Sequence, residues 1–172
     1  MISENLIKCV GCGALVADID GVTQKYLGAS AGCWAIYGEI LAKEFNSAKD
    51  VVDDNHYRAV HRLTVDAYCV QYPGVPLRQT SQSVAVHLIS LYFVLERGFD
   101  AEKALRVIRR AVSHSEKFFW LEPPRFMEAT TVIDVSRAKN FFEHEKLVQE
   151  WARARWEAWS QHHEQIRRWA SL

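Results

Sequence analysis

Sulfur is the first source of chemistry in this chain. Cys9-Val10-Gly11-Cys12-Gly13 has the spacing of a metal knuckle, in which two thiolates converge on one ion while glycine lets the backbone turn beneath them. Two thiolates make half a zinc site, so the remaining ligands must come from elsewhere. Cys33 is a third candidate. It falls in the first turn of a helix that Ser30 caps, and a helix N-terminus favours the thiolate that a metal requires. With one imidazole, Cys9, Cys12 and Cys33 would complete a closed, structural Cys3His zinc centre, and His61 is the expected fourth ligand. A shared metal requires the three sulfurs to lie within about 4 Å of one another.

Imidazole offers a second construction. His61, Thr64, Tyr68 and Gln71 recur at intervals of three and four residues, so on a helix they share a face with Tyr57 and Val65 where apolar side chains would be ordinary. His61, His87 and either His162 or His163 come from three different helices. Three imidazoles leave a coordination position for water, as a catalytic metal needs. In that reading the protein is a metal-dependent hydrolase or transferase, with Tyr68 or Asp66 handling protons or orienting a ligand. The arrangement is similar, at the level of fold, to helical-bundle metalloproteins of the DinB and YfiT kind. His61 cannot serve both centres, and neighbouring His162 and His163 cannot both point inward. Asp66, five residues from His61, points to another side of its helix and suits a helix terminus or a neighbouring imidazole. A third reading is a non-enzymatic interaction module whose metal only staples the fold.

The elements that must position these groups are helical. The spacing predicts a mainly α, single-domain bundle over residues 28–172, preceded by a knuckle segment over residues 1–27. Leu15 to Asp18 and Val22-Thr23, flanking Ile19-Asp20-Gly21, suggest a small hairpin after the knuckle. Trp34, Tyr37, Ile40, Leu41 and Phe45 form the apolar face of the first helix. Asp53 or Asp54 caps the second, which ends at Pro73-Gly74. Thr80 or Ser81 caps a third, running to Glu96, with His87 embedded among Val84, Leu88 and Leu91. Asp100 caps a fourth, with Ala104, Leu105, Ile108 and Val112 inward. Phe118-Phe119-Trp120-Leu121-Glu122-Pro123-Pro124 cannot be regular helix, and its aromatics must close an apolar core. Thr131 to Asp134 is a capping box opening a short helix. One long helix follows, from Glu143 to Trp169, whose Glu150, Arg153, Arg155, Glu164, Arg167 and Arg168 suit a solvated face.

Composition narrows the class. Lys plus Arg and Asp plus Glu are both 21, so no net field draws the chain to phosphate backbones or anionic lipid, and nucleic acid is a poor partner. No apolar run is long enough to span a bilayer, and the first residues lack the charged start and apolar middle of a signal peptide, which points to a cytoplasmic protein with reduced cysteines. Homo-oligomerisation stays open.

Taken together, the motifs resemble those of an uncharacterised bacterial family, a domain of unknown function marked by an N-terminal CxxCG, a GASxGCWAxYGE helix start, VHxLTVDAYxVQHPG, QSVAVHLxxLxxVLERG, WLEPP and a terminal WxxHHxxxRxW. Here they are Cys9 to Gly13, Gly28 to Glu39, Val60 to Gly74, Gln82 to Gly98, Trp120 to Pro124, and Trp159 to Trp169. The resemblance implies no activity. Tyr72 stands where the pattern has histidine, and Cys69 where it has a small residue, so neither is counted in the site.

Overall fold

An N-terminal hairpin leads into seven α-helices in the computed structural model, which describes residues 5–47, 54–71, 74–125 and 130–172. Strands β1 (Leu6–Lys8) and β2 (Leu15–Ala17) pair antiparallel with Ile7 opposite Val16. The hairpin therefore straddles the knuckle instead of following it, and residues 18–24 form no strand. The reason lies in the turn itself. Gly13 N–H donates to the Cys9 carbonyl at 2.9 Å and Cys9 N–H to the Ala14 carbonyl at 2.8 Å, so the knuckle is the hairpin's loop. Gly13 takes φ +78°, a conformation that glycine reaches without penalty.

Helix α1 (Ala31–Ser47) begins where expected: Ser30 Oγ accepts from Cys33 N–H at 3.4 Å, satisfying a donor of the first turn. Helix α2 spans Asp54–Cys69; Asp53, Tyr72 and Pro73 lie outside the described residues. Helix α3 (Arg78–Leu91) starts earlier than Thr80 or Ser81, because Ser81 Oγ bonds back to the Leu77 carbonyl at 3.0 Å instead of capping, and both residues are buried within the helix. A π-helical turn, Tyr92–Glu96, carries α3 to Arg97 and Gly98. Helix α4 (Ala101–Val112) has the expected cap, Asp100 Oδ1 accepting from Lys103 N–H at 2.7 Å. Its inward residues are Ala104, Ile108 and Ala111, while Leu105 and Val112 are exposed. Helix α5 (Val132–Ser136) opens on the Thr131–Asp134 capping box.

The long C-terminal helix is broken. Helix α6 (Phe141–Ala158) and α7 (His163–Ala170) are separated at Trp159 by a 3-10 turn, and the Trp159 indole, fully buried, donates to the Val70 carbonyl at 2.9 Å. Phe118 and Phe119 pack on Trp169, so the proline-rich connection closes the core as its composition requires. Buried side chains run without interruption from Cys9 in the hairpin to Trp169 in α7. None of the described helices is long and apolar enough to cross a membrane.

The hairpin docks on α1 through Gly32, where an added Cβ would lie 2.3 Å from the Ala17 carbonyl oxygen. Backbone on both sides leaves no flexible group to yield. Gly32→Ala should therefore cost about 1–3 kcal/mol, as overpacking does, and thermal unfolding should show it as a lowered midpoint. An unchanged midpoint would mean that the hairpin is not held against α1 by this contact.

Candidate metal centre

Three sulfurs meet beneath the hairpin. The Sγ atoms of Cys9, Cys12 and Cys33 all lie within 4.8 Å of one another, and all three residues are buried. Cys12 and Cys33 are 3.7 Å apart. Two sulfurs on one tetrahedral zinc, each roughly 2.3 Å from it, stand about 3.8 Å apart, so the Cys12–Cys33 spacing fits that ion, with Cys9 Sγ within 4.8 Å of both. Local structure produces the convergence. The knuckle turn aims Cys9 and Cys12 at one side of the hairpin, and the Ser30 cap fixes the first turn of α1 so that Cys33 faces them. Ser30 N–H also donates to Cys9 Sγ at 3.5 Å.

The cluster shares protons when no ion displaces them. Hydrogen bonds from Cys12 and Cys33 hold the Cys9 thiol far below its ordinary range, against burial and with help from Ser30 N–H. For Cys12, the bond from Cys33 lowers the thiol, but its own bond to Cys9 and burial outweigh this and push it up to about 11. Cys33, bonded to Cys12 and Cys9 and buried, is pushed up further. One thiolate hydrogen-bonded by two thiols is a site that a divalent cation can complete by releasing protons.

Two groups brace the cluster. Tyr68 Oη lies 3.6 Å from Cys33 Sγ, and its ring stacks on Tyr37 with centroids 3.7 Å apart. Burial, then the neighbouring Cys33 sulfur, raises the Tyr68 phenol, so it stays protonated and available as a donor to sulfur. Arg155 is the second. Burial lowers its guanidinium to about 10, with Cys12 and Cys33 pulling it upward, and its Nη2 donates to the Thr130 carbonyl at 2.7 Å. A cation still charged at neutral pH is thus buried beside the sulfur cluster. Its expected place on a solvated face is corrected: Arg155 is fully buried. It continues the stripe Val148, Trp151, Arg155 and Trp159, and that period was the signal for it.

The histidines go elsewhere. His61 is not in the converged group; its Nδ1 donates to Glu44 Oε2 at 2.7 Å. Cys33 and Glu44 are eleven residues apart on α1, about 16 Å along the axis at 1.5 Å per residue, which removes His61 from reach of the sulfurs. His87 Nδ1 donates to Asp66 Oδ1 at 2.7 Å, His162 Nε2 to the Glu122 carbonyl at 2.9 Å, and His163 Nε2 to the Trp156 carbonyl at 2.9 Å. Four imidazoles on four acceptors do not converge, and among the described residues the only group of three or more such ligands that converges is the cysteine cluster. Tyr68 faces sulfur, and Asp66 orients an imidazole, Arg62 Nε and Ser90 Oγ.

Glu44 and His144 were absent from the expected site. Glu44 is buried and accepts from His61, Thr64 and His144, whose Nε2 lies 2.7 Å away. Its position, four residues after Ile40 and seven after Tyr37, was the available signal; Phe45, the expected inward residue, is exposed. His61 itself is half-exposed on a cleft of about 540 Å³ between α2 and the start of α4.

No curated protein and no solved structure matches the chain. A family model does, over residues 7–160, a span that includes all three converging cysteines, Tyr68 and Arg155; the chain therefore belongs to DUF5946, a family of unknown function.

Proposed function

We propose that this is a zinc-binding protein in which the metal is structural, held by Cys9, Cys12 and Cys33. One observation carries the reading: three buried sulfurs from the hairpin and from α1 converge at the spacing of a tetrahedral thiolate site. Zinc bound there would tie the hairpin to the bundle. Three thiolates and a divalent cation leave one negative charge, which the Arg155 guanidinium is placed to offset. Burial of all three sulfurs favours a fold-stabilising role over an exposed reaction centre.

Metal analysis of the purified protein, with X-ray absorption at the zinc edge, tests this directly. The expected result is one zinc per chain with three sulfur neighbours and one lighter ligand. A substoichiometric metal, or a shell of nitrogen and oxygen only, would overturn it. Expected chelation behaviour follows the same logic: stripping the metal should lower the unfolding midpoint and release the hairpin before the helices.

A further inference from the structure

Away from the sulfurs, a buried carboxylate holds an imidazole at the edge of open space. His61 Nδ1 donates to Glu44 Oε2 at 2.7 Å, and Glu44 is fixed in turn by Thr64 Oγ1 on α2 and by His144 Nε2 on α6. The carboxylate is buried, whereas the His61 side chain is 41% exposed. The Tyr57 ring lies nearly parallel to that of His61, with centroids 5.8 Å apart, so the imidazole is braced on one face as well as at one nitrogen. Burial raises the Glu44 carboxyl, but the bonds from His144, His61 and Thr64 outweigh it, and the group is a carboxylate at neutral pH. A carboxylate on Nδ1 keeps a proton there. Nε2, on the far edge of the ring, is then the nitrogen that exchanges protons with its surroundings.

Those surroundings are the cleft of about 540 Å³ between α2 and the start of α4, which has the size of a small-molecule site. Arg58, His61, Arg62 and Val65 recur at intervals of three and four, so one face of α2 forms a wall. Ala101 and Leu105, one turn apart, give the α4 wall its apolar part. The acids of that wall are engaged: Asp100 caps α4 through Lys103 N–H at 2.7 Å, and Glu102 pairs with Arg106 on its own helix. The α2 wall keeps donors to spare. Arg62 reaches Asp66 and Ser90 through Nε, and its Nη2 is buried with no acceptor. Arg58 pairs with Asp54 at 2.6 Å, both side chains well exposed, and an ion pair of that kind yields to a ligand at little cost.

We propose that this cleft binds a small organic anion, a carboxylate or phosphate carried on an apolar body, and that His61 is its proton-sharing contact. The oxygens of the anion meet His61 Nε2 and the guanidinium groups of Arg58 and Arg62, and the body rests between Val65 and Leu105. Glu44 is a positioning residue: it fixes the tautomer and orientation of His61 and balances the charge when the ring is protonated.

Phenyl phosphate and 3-phenylpropionate, titrated separately into the intact protein and followed at the His61 ring resonances, test the site. At least one should give a saturable shift with a Kd of about 1 mM or tighter, and the tighter of the two identifies the anion class. Benzyl alcohol, which has the ring without the charge, should bind at least about tenfold more weakly. Before any ligand is added, the nitrogen shifts of the neutral His61 ring should place its proton on Nδ1. His61→Gln and Arg58→Gln should each weaken binding of the preferred anion, His61→Gln by about tenfold. Arg58→Gln alters only an exposed side chain, so it keeps the test open even where the other variant fails to fold. A proton on Nε2 of the neutral ring, no saturable shift with either anion, benzyl alcohol bound as tightly as both, or binding unchanged in the two variants would overturn the proposal.

Discussion

Cys33→Ala is expected to abolish zinc binding and to lower the unfolding midpoint by about 8–16 °C in zinc-containing buffer. Zinc at a thousandfold excess over its dissociation constant stabilises the folded chain by about 4 kcal/mol. For a chain of this size each kcal/mol corresponds to about 2–4 °C. Cys33 is the ligand that joins α1 to the hairpin, so removing it separates the two halves of the site. The variant also loses one buried sulfur from the core, and this smaller loss is independent of metal. Chelator separates the two contributions. With EDTA in excess, the gap between wild type and variant should shrink to the packing cost alone. A gap of the same size with and without chelator would show that Cys33 is a core residue and nothing more. Acid should act like the chelator, because Cys12 and Cys33 hold their protons firmly and zinc must displace them.

The parts of this arrangement that depend on local spacing were legible from the residues. CxxCG and the Ser30 cap each place sulfur within a single turn, so Cys9, Cys12 and Cys33 could be grouped before any packing was known. Helix type was legible for the same reason, since each amphipathic period is a local property. The fourth-ligand assignment depended instead on the direction of a helix pair. Helices α1 and α2 run antiparallel, with Glu44 beside His61 and Cys33 beside Tyr68. The polar face of α2 is therefore shared between two centres, three turns apart along α1. His61 and Thr64 serve a carboxylate, and Tyr68 serves sulfur.

Charge misled where period would have been the better guide. Arg155 and Glu44 both lie on buried stripes, yet ionised side chains are ordinarily solvated, and only a partner makes their burial tolerable. Those partners, the Thr130 carbonyl and the nearby cysteine cluster for Arg155 and two imidazoles for Glu44, come from segments far away in sequence.

Glu44→Ala should be the most destabilising single change outside the metal centre. The carboxylate is 2% exposed and joins three helices, accepting from His61 and Thr64 on α2 and from His144 on α6. Removing it leaves three donors without their acceptor, and breaking a buried charged network of this kind costs about 3–5 kcal/mol. Zinc content should not change, since the cysteine cluster is three turns away along α1. The isosteric Glu44→Gln keeps the volume and removes only the charge, which makes it the probe of pH dependence. Burial tends to raise the Glu44 carboxyl, but the hydrogen bonds from His144, His61 and Thr64 outweigh it and hold the group below its ordinary value. A carboxyl depressed in the folded state contributes stability that is present above its unfolded pKa of about 4.3 and is lost as pH falls through the lower folded value. Wild type should therefore exceed Glu44→Gln in unfolding midpoint at pH 7, and the two curves should converge below about pH 4. Midpoints that stay equally separated from pH 7 to pH 3 would show that Glu44 contributes through packing and not through its charge.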